Sequence, residues 1–329
     1  MSIKEQVEDN MRSGAEAQLQ GDEPQRKQPP RTRFRTAVAW LGGRALLSAL
    51  ALVLVAALGA LLTPADPTNT KGVLYPYMYG YSKLVKNSMD VLIAGDSSAM
   101  CGLSPAVLKE ETQLSSYNAA CPRQSIETSS DVIRNVWQYQ TPKYVVLDVN
   151  NLFTETGSDL AIKEYAARVF PLLRNHTNWK LLLQGKLGAE GANISSDLGY
   201  YPSSDVVACT NTSYMQTGDA PTEIPAATRI YLEDIQRICA EHGATLVLVN
   251  VPNAAEWSQA KHDLVETWAE EHNALYFDAN TDASVGIDWS QDTRDGGMHL
   301  NQSGATKATS WLANVLETLE SRGNEGHDA

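Results

Sequence analysis

Residues 90–98 read DVLIAGDSS, a short apolar run that ends in a glycine and is followed by an aspartate and two serines. Short apolar runs bounded by turn residues are typical of strands that are buried on both faces. Four later segments share this character: SSYNAA (115–120), KYVVLDV (143–149), TLVLVNV (245–251) and ALYFDA (274–279). Together the five segments predict the strands of one sheet.

Amphipathic segments separate these strands and predict helices at about 104–113, 125–140, 226–242, 256–271 and 303–321. Ser104 is the expected N-cap of the first helix, and Pro105 its first residue. Alternation of strands and helices predicts one α/β domain over residues 89–323, with a mainly parallel sheet covered on both faces. Residues 160–222 show no clear period beyond two short helices predicted at about 161–172 and 179–184, so we interpret them as an insertion that shapes a substrate site.

The N-terminal part contains a segment that predicts a membrane span. Ala45 to Ala65 carries no charge over 21 residues, enough to cross a hydrocarbon core of ~30 Å. We assign residues 37–65 to a transmembrane helix, residues 1–36 to a disordered tail, residues 66–88 to a stalk and residues 324–329 to a second tail. The alternative, a cleaved signal peptide, is disfavoured because 44 residues precede the run.

The distribution of basic residues predicts the orientation of the span. Six basic residues lie just before it and three follow it closely: Arg26, Lys27, Arg31, Arg33, Arg35 and Arg44, then Lys71, Lys83 and Lys86. This excess places the N-terminus in the cytoplasm and the globular part outside it. The chain carries a net charge of −13, and the acidic excess lies after residue 65. We therefore expect the bilayer as a partner through the single span, and no nucleic acid.

All four cysteines fall on the predicted exported side, where an even number permits two disulfides. They are Cys101, Cys121, Cys209 and Cys239. Cys101 and Cys121 follow two strands expected to be neighbours, so we predict a disulfide between them. The cysteine spacing does not fit a zinc site, and the aspartates at 288, 292 and 295 do not have EF-hand spacing. We expect no metal and no cofactor.

Residues that follow the strands are candidates for chemistry, because ligands bind beyond the carboxyl ends of parallel strands. Gly95 permits a tight turn that presents Ser97 at the edge of the sheet as a candidate nucleophile. The same residue types also suit an ordinary turn between a strand and a helix.

The segment DGGMHLNQSG (295–304), just before the last predicted helix, supplies the base that a serine needs. Of the six histidines, only His299 lies in a glycine-rich loop beside a carboxylate, Asp295. His242 and His272 lie at predicted helix ends, where a histidine stabilises free carbonyls.

Three features together resemble the SGNH (GDSL-type) hydrolase superfamily over about residues 88–321: GDS after the first strand, an Asn-led loop after the second, and Asp-x-x-x-His-Leu-Asn-x-x-Gly before the last helix. The wording GDSSAMCGLSP and HLNQSGA is most similar to membrane-anchored envelope proteins, including those of teichoic-acid D-alanylation and exopolysaccharide O-acetylation. The resemblance implies a three-layer, flavodoxin-like SGNH fold with a five-stranded sheet after a single transmembrane helix.

By this resemblance Ser97 is the nucleophile, His299 the general base and Asp295 the carboxylate that orients the imidazole. The oxyanion hole is expected from the Ser97 N–H, the loop YNAACPRQS (117–125) after the second strand, and an asparagine after the third. Three positions depart from the pattern. Arg123 stands where the hydrolases usually have glycine, and Asp148-Val149-Asn150-Asn151 replaces Gly-x-Asn-Asp, so that either Asn150 or Asn151 is a candidate donor. Asp295 precedes His299 by four residues instead of three, which leaves Asp292 as an alternative acid.

The resemblance implies a membrane-anchored, extracytoplasmic serine esterase or O-acyl (acetyl) transferase that acts on cell-envelope glycan through an acyl-enzyme on Ser97. Its expected partners are an envelope polysaccharide or an acylated carrier, and a membrane acyl-transfer protein. Arg123 is a second candidate group for binding a carboxylate or phosphate. The alternative is a catalytically inactive protein of the same fold that binds envelope glycan or a partner protein.

Overall fold

The structure, a computed structural model, describes residues 31–63, 77–153 and 194–325, together with residues 170, 172–173 and 179–185. The chain divides into two compact units, residues 1–54 and 55–329. Helix α1 comprises Arg31–Leu62, and residues 37–62 of it correspond to the predicted transmembrane helix. Its part from Arg44 to Leu62 is long and apolar enough to cross a membrane. The predicted tail residues 1–30, stalk residues 66–76 and C-terminal residues 326–329 lie outside the described residues.

Five parallel strands form one sheet in the order β2-β1-β3-β4-β5. They are β1 Val91–Ala94, β2 Ser116–Asn118, β3 Tyr144–Asp148, β4 Thr245–Asn250 and β5 Leu275–Asp278. The predicted α/β fold with a five-stranded parallel sheet is confirmed. Strand order reverses between β1 and β3, and at such a point the chain leaves a crevice beyond the carboxyl ends of the two strands.

Eight helices follow α1 in the described part of the chain: α2 Ser97–Gly102, α3 Pro105–Thr112, α4 Ile126–Val136, α5 Trp179–Leu183, α6 Tyr214–Thr217, α7 Ala226–Glu241, α8 Gln259–His272 and α9 Gln302–Glu325. Helix α3 starts as predicted, with Ser104 Oγ accepting from the N–H of Val107 and Pro105 in the first position. Helix α2 was not predicted. The helix predicted at 161–172 falls almost entirely outside the described residues.

Two apolar clusters lie on opposite faces of the sheet, because successive residues of a strand point to opposite sides. On one side Leu92 packs with residues of α4, α7 and α8, such as Val132 and Ile235. On the other side Ile93 packs with residues of α3 and α9, such as Leu108. The result is the three-layer arrangement that the strand–helix alternation implies.

The predicted disulfide between Cys101 and Cys121 is wrong. All four cysteines are free and buried. Cys101 belongs to the cluster under α3 and α9, whereas Cys121 belongs to the cluster on the other face together with Cys209 and Cys239. The Cys121 thiol contacts the sulfur of Met78 at 3.6 Å instead. Two residues that follow neighbouring strands thus point to opposite sides of the sheet.

The last part of the predicted stalk belongs to the domain core. Tyr81 is fully buried, and its hydroxyl donates to Asn135 Oδ1 at 2.9 Å. Its ring makes edge-to-face contacts with the rings of Tyr79 and Tyr117. The described part of the domain therefore includes residues 77–88, which the sequence assigns to the stalk.

Candidate active site

The turn after β1 presents Ser97 at the sheet edge. Gly95 adopts a φ of 150°, and a Cβ there would lie only 2.7 Å from Cβ of Asp148 at the end of β3. Only glycine fits this close approach. Gly95 therefore allows the ends of β1 and β3 to lie next to each other beneath the turn. Ser97 is the first residue of α2 and is partly exposed, so its hydroxyl is accessible from solvent.

Two buried carboxyl groups lie beneath this turn. Asp96 caps α2, accepting from the N–H of Ser98 at 2.8 Å, and its other oxygen accepts from the amide of Asn150 at 2.9 Å. Burial raises the pKa of Asp96, and the nearby Glu256 carboxylate adds to this effect. Burial also raises the pKa of Asp148 well above its usual range, with Asp96 contributing. Neither residue was assigned a role from the sequence.

His299 carries the features of a general base. Its Nδ1 is hydrogen-bonded to Asp295 Oδ2, and its backbone N–H donates to Asp295 Oδ1 at 2.9 Å. This pairing keeps a proton on Nδ1 and leaves the lone pair on Nε2 in the neutral ring. Nε2 is shielded from solvent and has no hydrogen-bond partner among the described residues.

The glycines of the loop explain how Asp295 reaches His299 across an extra residue. Gly296 and Gly297 adopt φ values of 85° and 111°, which other residues rarely do. The loop closes on an antiparallel bridge between Thr293 and Leu300. A Cβ on Gly297 would lie 2.7 Å from the Cys209 sulfur, so the backbone at this point requires glycine.

Asp292, the alternative acid, is not bonded to His299. It is almost completely buried, pairs with Lys307, and accepts from the Ser303 hydroxyl at 2.7 Å. Burial opposes ionisation of this carboxyl, but the hydrogen bonds from Lys307, the Asp288 N–H and Ser303 lower its pKa. Asp292 thus anchors the beginning of α9, and Asp295 is the carboxylate on the histidine.

The serine turn and the histidine loop lie at the same edge of the sheet. Cys101, one turn after Ser97, has a thiol whose pKa is raised to about 12, mainly by burial; Asp295 and Asp96 raise it further and Arg294 opposes them. A Cβ on Gly102 would lie 3.6 Å from Leu300, the residue after His299. No hydrogen bond joins Ser97 to His299 Nε2, and such contacts are often long before a substrate binds. The raised pKa also argues against Cys101 as a nucleophile.

A segment that we call the strap, residues 201–209, connects the two parts of the site. Its first N–H, on Tyr201, donates to the carbonyl of Met100 in α2 at 2.9 Å. Further along, the N–H of Val207 donates to the carbonyl of Thr293, and that of Cys209 to the carbonyl of Trp289. Part of the predicted insertion is thus hydrogen-bonded to both the helix that carries Ser97 and the segment before His299.

Arg123 has the backbone conformation that the resemblance expects of a glycine. Its φ is 54°, in the left-handed region, and its side chain is exposed. The loop lies against the serine turn, because the N–H of Gly95 donates to Gln124 Oε1 at 3.1 Å and that of Cys121 to the Gly95 carbonyl at 3.3 Å. The arginine therefore keeps the loop shape at a conformational cost of ~1–2 kcal/mol.

The two candidate asparagines differ in their orientation. Asn150 Nδ2 donates both hydrogens, to Asp96 Oδ2 and to Glu256 Oε2, at 2.9 Å each. Asn151 Nδ2 donates to the carbonyl of Gln124 at 2.7 Å, which directs it towards the loop after β2. Asn150 is therefore the asparagine beside the serine turn, but neither of its N–H groups is free.

No role was predicted from the sequence for Asn253 or Glu256, which both follow β4. Asn253 is fully buried and donates to the Ser98 hydroxyl at 3.0 Å, and its own oxygen accepts from the N–H groups of Ala255 and Glu256. The signal was present, since NVPNAAE (250–256) follows a strand just as the serine turn does. Residues that follow the ends of parallel strands are candidates for a site, and this applies to the residues after β4 as well.

A second histidine–carboxylate pair lies elsewhere, at the edge strand β5. His262 Nδ1 is 2.8 Å from Asp278 Oδ2, and Asp278 also accepts from the indole of Trp257 at 2.8 Å. The hydrogen bond and charge of Asp278 raise the pKa of His262. The pair lines an open cavity of about 450 Å³. His262, Asp263 and Glu266 form the one group in the described residues whose ligand atoms, all within 4.8 Å of one another, could hold a metal ion.

Comparison with known proteins finds similarity in solved structures only. No protein-family model matches the chain, and no curated protein does. Similar structures include a GDSL-like lipase from Bacteroides thetaiotaomicron (10% identity, 74% of this chain, 96% of that chain, TM-score 0.39). The esterase EstA from Pseudoalteromonas sp. is another (11%, 70% and 98%, TM-score 0.39). A lipase/acylhydrolase from Enterococcus faecalis is a third (14%, 70% and 96%, TM-score 0.31).

Proposed function

We propose that this protein is an SGNH-type serine hydrolase that cleaves an ester through an acyl-enzyme on Ser97. The observation that carries the proposal is the state of His299, which is held by Asp295 through Nδ1 while Nε2 is unpartnered and lies in a loop packed on α2. Ser97 is the first residue of that helix, and its hydroxyl is accessible. An oriented imidazole with a free nitrogen, at the same edge of the sheet as an accessible serine, supports a hydroxyl activated by general-base catalysis.

In the proposed reaction Ser97 Oγ attacks the ester carbonyl, and His299 Nε2 takes the hydroxyl proton. The bond to the leaving oxygen then breaks, and His299 returns the proton to that oxygen, so that an alcohol leaves. Water next attacks the acyl group on Ser97 and gives its proton to His299. The acid is released and the serine regains its proton.

The finer part of the proposal concerns place and substrate. The apolar stretch Arg44–Leu62 supports a membrane anchor, and the basic residues before it support a cytoplasmic N-terminus. The sequence resemblance supports a cell-envelope glycan or an acylated carrier as the substrate, and a sugar hydroxyl in place of water would make the protein an O-acyltransferase. A membrane acyl-transfer protein is the partner that this version of the reaction requires.

A catalytically inactive protein that binds envelope glycan or a partner is the second candidate. One observation favours it: both amide hydrogens of Asn150 are donated to carboxylates, so the side chain expected to stabilise an oxyanion is engaged. Loss of one oxyanion donor costs ~10²–10³ in rate.

A serine-directed fluorophosphonate probe tests the proposal on the full-length chain in detergent. We expect wild-type protein to be labelled at Ser97, and labelling to disappear in Ser97→Ala and in His299→Ala. Ser98→Ala is the matched control, since the neighbouring hydroxyl is 2% exposed and bonded to Asn253, and this variant should still be labelled. Absence of labelling in folded wild-type protein would favour the binding function.

A further inference from the structure

Glu256 lies where its carboxylate competes with the proposed reaction. Its Oε2 accepts from Asn150 Nδ2 at 2.9 Å, and the second hydrogen of the same amide goes to Asp96 Oδ2. An amide nitrogen has two hydrogens, so this one has none left for a third acceptor. The two acceptors differ in their surroundings, because Asp96 is buried and Glu256 is exposed.

The two hydrogen bonds therefore differ in how easily they are exchanged. The bond to Asp96 joins two buried groups beneath the serine turn, and breaking it would leave a buried carboxyl group without that donor. The bond to Glu256 reaches an exposed carboxylate that water can solvate in its place. An oxyanion that develops on a substrate would thus take over the hydrogen now donated to Glu256.

The turn that carries Glu256 is held firmly, although its carboxylate is exposed. The backbone N–H of Glu256 donates to Asn253 Oδ1 at 2.9 Å, and its carbonyl accepts from the ammonium of Lys261. Lys261 is 9% exposed, and its pKa is lowered by burial, an effect that the charges of Asp219 and Glu256 oppose. A buried ammonium thus lies within electrostatic reach of the Glu256 carboxylate.

We propose that Glu256 gates the oxyanion hole: its carboxylate holds the Asn150 hydrogen that the reaction needs, and it must turn away before Asn150 can act. This inference rests on the proposed function, and it assigns a regulator to that same site. Glu256 acts through Asn150 and is a positioning residue.

The gate predicts that removing the carboxylate accelerates the reaction. In Glu256→Ala the rate of Ser97 labelling by the fluorophosphonate, and kcat for hydrolysis of p-nitrophenyl acetate, should rise about tenfold, the equivalent of one competing hydrogen bond to a charged group. KM should change little. Glu256→Gln keeps the size without the charge and should give a smaller rise. Glu270→Ala, at an exposed glutamate of α8, is the matched control and should leave the rate unchanged.

A double-variant cycle separates the gate from a general charge effect. In an Asn150→Ser background, Glu256→Ala should give no gain, because the hydrogen that Glu256 occupies is gone. A crystal structure of the phosphonylated wild-type protein gives an independent readout that does not depend on the folding of any variant. Asn150 Nδ2 should lie within hydrogen-bond distance of the phosphonyl oxygen, and Glu256 should have turned away.

The outcomes distinguish the gate from the proposed function. Labelling of wild-type protein with no gain, or a loss, in Glu256→Ala overturns the gate and leaves the hydrolase in place. The same holds if the phosphonylated structure keeps the Asn150–Glu256 bond. Absence of labelling in both wild-type protein and Glu256→Ala, with both folded, overturns the two proposals together, because there is then no reaction to gate.

Discussion

Two histidine–carboxylate pairs in one domain allow a direct comparison. In the His262–Asp278 pair the carboxylate is fully buried, the imidazole is 13% exposed, and both lie among the aromatic rings at β5. In the His299–Asp295 pair the carboxylate side chain is 36% exposed, and the histidine lies in a glycine-rich loop. In both pairs a carboxylate oxygen is hydrogen-bonded to Nδ1 of the histidine. This contact alone therefore does not distinguish the two pairs.

The difference lies in the second ring nitrogen. Nε2 of His262 faces the carboxylate of Glu266 at 3.8 Å, so that this imidazole lies between two acids and is stabilised in its charged form. Nε2 of His299 has no partner in the described residues. One pair neutralises a buried charge, whereas the other keeps a nitrogen available for proton transfer. A carboxylate beside a histidine therefore indicates a general base only when the other ring nitrogen is free.

The largest expected effect of this difference is on the rate at which the fluorophosphonate labels Ser97. His299→Ala should lower fluorophosphonate labelling of Ser97 by on the order of 10³, within the range of general-base catalysis. His262→Ala should leave the labelling rate of folded protein within about threefold of wild type, since it does not contact the site. An equal loss in both variants, measured on samples with matching circular dichroism spectra, would remove the distinction.

The two aspartates near His299 should separate in the same assay. Asp295→Asn should lower labelling by on the order of 10³, because the amide no longer fixes the proton on Nδ1. Asp292→Asn keeps that contact and loses part of the bond to Lys307 at the start of α9. Its main effect should be a lower midpoint of urea unfolding. A strong loss of labelling in folded Asp292→Asn would return Asp292 to the role of the acid.

The two pairs should rank in the opposite order for stability: loss of His262 should lower the free energy of unfolding more than loss of His299. His262→Ala leaves the buried Asp278 without its cationic partner, which we expect to cost about 2–4 kcal/mol of the free energy of unfolding. His299→Ala leaves Asp295, whose side chain is 36% exposed and can be solvated by water, so it should cost less than about 1 kcal/mol. Urea denaturation of the two variants beside wild type measures both values. A smaller loss in His262→Ala than in His299→Ala contradicts the interpretation of His262 as structural.

The pH dependence of stability should follow His262. Its pKa is raised in the folded protein, so the folded state binds the proton more tightly than the unfolded state. The resulting stabilisation is fully present below the unfolded pKa of ~6.5 and is lost as the pH rises through the raised folded pKa. Urea titrations from acid to alkaline pH should therefore show a falling difference between wild type and His262→Ala. A difference that grows with pH would contradict a raised pKa of His262 in the folded protein.

The smallest effect concerns the loop beside the serine turn. Arg123→Gly relieves the left-handed strain but makes the unfolded chain more flexible, so the expected gain in the free energy of unfolding is at most about 1 kcal/mol. Gln113→Gly, at a φ of 64° at the end of α3, is a matched control for strain relief. If the Arg123 side chain contributes to substrate binding, KM will rise in Arg123→Gly and not in the control.

The sequence was most informative about the strands. Each of the five lies within its predicted segment, since a parallel strand buried on both faces needs a continuous apolar run. Helix α2 escaped detection because six residues make fewer than two turns and show no periodicity. The chain order also predicted correctly that β1 and β2 are neighbours, but not that Cys101 and Cys121 would point to opposite faces of the sheet.

Side-chain partners depended on information that the sequence does not carry. The choice between Asp292 and Asp295 rests on the backbone angles of Gly296 and Gly297, which a count of residues cannot supply. The bond between Asn150 and Glu256 joins positions that are 106 residues apart in the chain. Identifying it requires knowing that β3 and β4 are adjacent and that each is followed by a turn at the same edge.

The strap has a consequence for how the site responds to proteolysis. Ser97 and His299 come from opposite ends of the domain, and one short, mostly exposed piece of chain is hydrogen-bonded to both of their neighbourhoods. A single proteolytic cut between Tyr201 and Cys209 would spare every strand of the sheet, yet it would release both neighbourhoods at once. We expect such a cut to lower the rate of Ser97 labelling while the sheet stays folded.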